Sequence, residues 1–269
     1  MSAEAVANAG LRAPPWTSGL RRLAGEVALP TGFILACIAA FEILARAFAI
    51  PEVLFPAPSR VATALVVNAP TLGYHAALTI LQVLAALVVS LAVGVLIAAV
   101  FTLSRVIEDM FAPLFVVLQI VPKIALAPLF VVWSGPGVVS HLTFAVCLSF
   151  FPILAGARAG FEETSADAVR LCHALRASRW QTLFHVQLPM ALPQLFVGAK
   201  VSTTLCIIGV VLGEFVSAQA GIGWYIVQAA ALSQTTNILA ALVVLSLFGL
   251  LVYGLVAAGE IMVRRRMFG

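Results

Sequence analysis

Apolar residues run almost unbroken through six stretches of the chain, near 29–49, 77–103, 110–134, 137–158, 191–217 and 238–262, and polar residues collect in the short intervals between them. Each stretch is long enough to form the helix of about 20 residues that crosses a hydrocarbon layer ~30 Å thick. In that layer the backbone must satisfy its own hydrogen bonds. The pattern therefore predicts an all-α polytopic membrane protein with about six transmembrane helices.

One interval has a different rhythm. The segment of about 162–188, between the fourth and fifth stretches, carries Arg170, His173, Arg176, Arg179 and His185. Within it Ala168, Leu171, Cys172 and Leu175 recur at i, i+3, i+4 and i+7, and Trp180, Leu183 and Phe184 form a second apolar stripe. Thr164 with Asp167, and Ser178 with Gln181, have the spacing of capping boxes. Two short helices are predicted, neither long enough to span a bilayer. An amphipathic hairpin resting on anionic headgroups and one docking into a groove of another protein both fit this spacing.

Composition narrows the picture. With 62% hydrophobic and only 10% charged residues in 269, the chain cannot cover a water-soluble surface. The net charge of +4 resides at the ends of the apolar runs, not in a basic stripe interleaved with aromatics, so nucleic acid is not an expected partner. Arg12, Arg21, Arg22, Arg105, Arg158, Arg170, Arg176, Arg179 and Arg264 to Arg266 fall on one side of the six-span topology, against Arg60, and Arg46 at a helix end, on the other. By the positive-inside rule the first side is cytoplasmic and holds both termini. The reading is a cytoplasmic tail over 1–28, a transmembrane domain over 29–262 and a short cytoplasmic tail over 263–269. The first apolar run is too long for a signal peptide and lacks a small-residue cleavage site. Cys37, Cys147, Cys172 and Cys206 are isolated, without CxxC or a histidine at ligand spacing, so neither disulfide nor metal is expected.

Ionisable residues at membrane depth are candidates for function. Lys123 lies mid-span in QIVPKIALAP, between two prolines that disturb the helix, with Gln119 four residues earlier on the same face. Together with Glu214, near the outer end of the fifth span, these are the candidate translocation-path residues. Lys200 is placed to snorkel toward an interface, and Glu42 with Arg46 has the spacing of a local ion pair. His141 and Gln82 read as polar residues satisfied inside the bundle, and Gly221 with Gly223 as an external turn. HExxH, GxSxG and an acidic pair at membrane depth are all missing from the sequence, which leaves no catalytic residue to name and disfavours an intramembrane hydrolase. An ion-coupled secondary transporter would carry broken helices in two repeated halves; only the Lys123 region has that character.

Six further segments carry a resemblance. FPAPSRV from Phe55, TILQVLAALVVSLAVGVLIA from Thr79, VPKIALAPLFVVWSGPG from Val121, SFFPIL from Ser149, LPMALPQLFVGAK from Leu188 and GEFVSAQAGIGW from Gly213 occur in order and spacing. The chain resembles the permease subunits of ABC importers for nitrate, sulfonates, taurine and vitamin precursors, with the type I importer permease fold. Such permeases carry a cytoplasmic loop of the form E-A-A-x-x-x-G followed by an LP pair. Counted back from Leu188-Pro189, the glutamate position is Arg170, the alanines are Leu171 and Cys172, and the glycine is Arg176. The resemblance implies that Arg170, Leu171, Cys172, Leu175, Arg176, Trp180 and Pro189 couple the chain to ATP-binding subunits. It also implies a second permease copy, an extracytoplasmic substrate-binding protein and a place in the bacterial inner membrane. The sequence holds no G-x-x-x-x-G-K-[ST]. ATP and Mg are therefore expected on the partner ATPase, with no cofactor on this chain, which is read as a permease and not an enzyme.

Overall fold

The computed structural model describes the backbone of residues 15–268 and the side chains of 29–267 apart from Val116; the first fourteen residues of the predicted N-terminal tail lie outside the described residues. Among the described residues all regular structure is helical. The chain forms two compact units, Met1–Thr63 and Ala64–Gly269.

In the first unit, α1 (Pro15–Ala47) is long and apolar enough to cross a membrane from Leu29 to Ala47. The chain turns through Ala49, at a φ of 47°, and enters α2 (Pro58–Val67). Glu42 does more than pair with Arg46 at 2.5 Å. Its carboxylate also accepts the Ser59 backbone N–H at 2.9 Å and the Ser59 hydroxyl at 2.8 Å, satisfying an otherwise orphaned donor at the start of α2.

The second unit is built on α3 (Ala69–Leu103), α6 (Val138–Glu162) and α9 (Leu188–Ser217), with α11 (Thr235–Phe268) alongside. Small residues let these helices approach closely, since lipid supplies no hydrophobic push between them. A Cβ added at Gly209 would lie 2.6 Å from the Ala145 Cα, and one at Gly160 would lie 2.6 Å from the Ala191 Cβ. Val83, Ala86, Leu87, Ala145, Cys206, Val210 and Val252 fill the space between them. Ser90 and Ser149 meet at 2.7 Å, and Ser202 donates to the Ser149 carbonyl at 2.5 Å, tying three helices together through buried hydroxyls.

The third predicted span is not one straight helix. It consists of α4 (Arg105–Ile120), a 3₁₀ turn (Lys123–Leu126) and α5 (Ala127–Ser134), bent by 89° at the break. Pro122 lacks an N–H and holds the preceding Val121 in an extended conformation, at φ −61° and ψ 129°, which ends α4. Pro128 does no such damage, because it sits in the first turn of α5, where its missing N–H has no helical partner to lose. Among the described residues, counting the bent pair as one crossing, six elements are long and apolar enough to traverse a bilayer. Two short apolar helices, α2 and α10 (Ile222–Ala231), occupy stretches expected to be loops.

Candidate functional site

The segment between α6 and α9 folds as two short helices. The first, α7 (Ala166–Ala174), starts one residue later than its predicted cap: Ser165 accepts the Ala168 N–H at 3.1 Å, while the Thr164 hydroxyl is turned inward on the Gly160 carbonyl at 3.4 Å. The second, α8 (Arg179–Thr182), carries the predicted capping box in full, with Gln181 N–H to Ser178 Oγ at 3.2 Å and Ser178 N–H to Gln181 Oε1 at 2.7 Å. Between them the backbone reverses at Arg176, which adopts a left-handed φ of 60°. The Arg176 N–H donates to the His173 carbonyl at 3.0 Å and the Ala177 N–H to the Cys172 carbonyl at 2.9 Å, the paired bonds of a Schellman turn. An arginine thus sits where glycine pays no steric penalty.

A π-helical turn (Leu183–Gln187) leads from α8 into α9, whose first turn contains Pro189. The second stripe splits across it. Leu183 is 1% exposed and packs with Phe101 and Phe161 in the bundle, whereas Trp180, 55% exposed, stacks on Phe184 with ring centroids 5.8 Å apart. Leu171 and Leu175 are also exposed, Leu175 at 74%. Cys172 is half-buried, and Arg170 is exposed with Asp167 at 3.6 Å, a solvated pair of little energetic weight. The hairpin is moored by Arg179, which donates to the Leu103 carbonyl at 3.2 Å. Beside it Arg158 bridges Glu108 at 2.5 Å and Glu162 at 2.9 Å.

The three translocation-path candidates are not brought together. Gln119 is exposed on the last turn of α4. The break at Pro122 separates it from Lys123, so the two do not share a helical face as the spacing had predicted. Lys123 is half-buried with its ammonium 5.9 Å from the centroid of the Phe151 ring, within cation–π range. Lys200 forms an ion pair with Glu260 of α11.

Glu214 stands apart, at the end of α9 opposite the hairpin, with 1% exposure. Its carboxylate accepts the Thr79 hydroxyl at 2.8 Å, the Gln82 amide at 3.3 Å and the Gly223 N–H at 2.7 Å. The two N–H groups preceding Gly223 in chain order are bonded alongside, Ile222 to Thr79 Oγ1 at 2.8 Å and Gly221 to His75 Nδ1 at 3.1 Å. Glu214, Thr79 and His75 together satisfy the orphan donors that open α10, and the negative end of the arrangement faces the positive end of that helix. Gly221, at a φ of 119°, and Gly223 are required by this wrap, because a Cβ at Gly223 would come within 2.7 Å of the Glu214 Cβ. His141 extends the cluster, with Nδ1 3.1 Å from Gln82 Oε1 and Nε2 3.0 Å from Ser217 Oγ. Among the described residues no group of three His, Cys, Asp or Glu side chains is placed to hold a metal ion.

A helical bundle whose long elements are apolar enough to cross a membrane, with an exposed apolar hairpin at one end and a buried polar clasp at the other, has the architecture of a polytopic membrane protein. Residues 90–265 match the family described as binding-protein-dependent transport system inner membrane component, and the chain belongs to that family, the permease subunits of ABC transporters, in which ATP hydrolysis is carried by a separate subunit. It is similar to a probable ABC transporter permease protein of Haemophilus influenzae, with 30% identity over 79% of this chain and 87% of that one. It is 29% identical to the formylaminopyrimidine transport permease protein ThiX of Halalkalibacterium halodurans, over 82% of this chain and 89% of the relative. With the taurine transport system permease protein TauC of Escherichia coli it shares 26% identity over 85% and 86% of the two chains.

Proposed function

We propose that two copies of this permease form the pathway of an ATP-driven importer for a small polar solute of the taurine, sulfonate, nitrate or vitamin-precursor kind, with the hairpin of residues 165–187 docked into an ATP-binding subunit. The observation that carries this reading is the hairpin itself. Leu171, Leu175, Trp180 and Phe184 are exposed on a segment whose caps, turn and mooring residues are all in place, an apolar face held ready for a groove. ATP and Mg belong to the docked subunit. A substrate-binding protein delivers solute to the opposite end, near the loops that flank α10. The basic end is cytoplasmic and holds both termini. Lys123 and Gln119 lie on the route across, at a break in a membrane-crossing element, where freed backbone groups need water or protein around them.

A cysteine placed at Arg176 tests the docking. With the partner subunits co-expressed, a short cross-linker at this position is expected to capture an ATP-binding subunit. Labelling by lipid-embedded probes alone would assign the hairpin to the headgroup layer and overturn the docking.

A further inference from the structure

Beside the buried carboxylate, at the end of the bundle opposite the hairpin, lies a cleft of about 360 Å³. The polar side chains lining it are Gln82, His141, Ser217 and Gln219, with Leu78, the Pro136–Val138 segment, Ala218 and Ala220 completing the wall. No Lys, Arg, Asp or Glu is among its lining residues.

Glu214 fixes the direction of every hydrogen bond between itself and the cleft. Taking the Gly223 N–H and the Thr79 hydroxyl, the carboxylate acts as an acceptor, so Gln82 must turn its NH₂ toward it and its carbonyl Oε1 toward His141. An oxygen acceptor 3.1 Å from Nδ1 requires that nitrogen to carry the ring proton. In the neutral ring Nε2 is then bare and accepts the Ser217 hydroxyl at 3.0 Å. Ser217 has one hydrogen, and it is committed inward. Half-buried at the cleft wall, its oxygen offers the cleft only lone pairs, at the end of a chain of bonds that polarise one another in the same sense.

We propose that this cleft is the outer contact site for a solute presenting an N–H or O–H donor, an ammonium best of all, with Ser217 as the contacting residue and His141, Gln82 and Glu214 as positioning residues. A donor meets a fixed acceptor there. An anion bearing only acceptors meets lone pairs at Ser217, and although the Gln219 amide and backbone N–H groups of the wall are donors, no cationic side chain is among the lining residues. The inference rests on the importer reading for which end faces outward, and it narrows that reading to donor-bearing solutes.

The experiment uses the intact permease–ATPase complex in proteoliposomes, with the four native cysteines replaced and Ser217→Cys introduced. Membrane-impermeant methanethiosulfonates, one carrying a trimethylammonium and the other a sulfonate, are applied from outside, and each rate is divided by that reagent's rate with a small free thiol. The cationic reagent is expected to react about tenfold faster after this correction, the size of effect that a nearby carboxylate exerts at partly screened range. Glu214→Gln should erase most of the preference. Millimolar ethanolamine should slow the labelling and nitrate should not. Equal corrected rates, a preference for the sulfonate, or protection by nitrate as strong as by ethanolamine would each overturn the proposal. If Glu214→Gln does not assemble, the ratio in Ser217→Cys alone decides. Labelling only from the other face would reverse the orientation given above, while the ratio measured on that face would still decide the chemistry of the cleft.

Discussion

The two ends of α9 solve opposite problems. At one end the hairpin is shaped by bonds between residues three to five apart, Ser178 with Gln181 and Cys172 with Ala177, and leaves Leu171, Leu175, Trp180 and Phe184 outside. At the other, Glu214 draws in groups from α3 and α10, 135 positions away in the case of Thr79, and leaves nothing of itself outside. The first is complete as a shape and incomplete as a surface. The second is closed upon itself, and reaches a cleft through Gln82, His141 and Ser217. A hairpin shaped by its own local bonds can stand with an apolar face outside, whereas a buried carboxylate has to find its hydrogen-bond partners inside the protein or not be buried at all.

The comparison breaks most severely at Glu214. Replacing it by Ala strands the Gly223 N–H and the Gln82 amide in a buried site, while the Thr79 hydroxyl keeps the His75 carbonyl at 3.2 Å, and each lost bond to a charged group contributes roughly 1.5–3 kcal/mol. A loss of about 3 kcal/mol or more is expected in thermal unfolding of the purified complex, together with faster labelling of a cysteine at Gln219. Glu214→Gln, which keeps one acceptor oxygen, should lose less. An Ala variant melting with the parent would show that the clasp does not hold α10.

At the hairpin the same kind of change should spare stability and remove coupling. Leu175→Ala and Trp180→Ala take apolar area from a face that is already exposed, so folding should change little. Each buried anchor contributes on the order of 2 kcal/mol to a docked groove. ATP hydrolysis by the assembled complex is expected to lose its response to the loaded binding protein. Normal stimulation in the double variant, with the complex intact, would remove this face from coupling.

Lys123 tests the middle of the molecule, between those two ends. Lys123→Met should reduce uptake in reconstituted vesicles by about tenfold, near 1.4 kcal/mol on the transport barrier. Lys123→Arg, which keeps the charge over Phe151, should retain a substantial part. Near-normal uptake by both variants would confine Lys123 to a packing role.

What the sequence made legible follows the same division between local and distant. The apolar runs, the capping box at Ser178 and the break at Pro122 are each decided within a few residues, and reading the chain in order finds them. The cap at Ser165 was missed by one position because Thr164 and Ser165 are both competent, and tertiary burial of Thr164 chose between them. Leu183 has the same helical period as Trp180 and Phe184, yet packing against Phe101 and Phe161 turns it inward. The Lys200–Glu260 pair and the Glu214 cluster join different spans, so no window of sequence contains them. A signal existed all the same. Gln82, His141 and Glu214 are polar residues near the same end of three different spans, and two glycines follow Glu214 within nine positions.

The smallest expected effect is at the turn between the hairpin's two helices, and it separates the geometry of the hairpin from its surface. Arg176 holds a φ of 60°, and a residue with a Cβ loses about 1 kcal/mol there relative to glycine. Both Schellman bonds are made by backbone, from the Arg176 and Ala177 N–H groups, so removing the side chain leaves them intact. Arg176→Gly relieves the contact between Cβ and carbonyl but frees the unfolded chain, which offsets part of the gain. A net stabilisation of up to about 1 kcal/mol is expected, read as a small rise in Tm of the complex. Arg176→Ala keeps the strain and removes only the exposed guanidinium, so it should melt with the parent. If Ala and Gly stabilise equally, relief of charge crowding among Arg170, Arg176 and Arg179 is the cause and the backbone is not strained. If Gly alone stabilises, the turn is strained, and arginine occupies it for what its side chain does at the docking face, which binding-protein-stimulated hydrolysis in Arg176→Gly would then report as a loss.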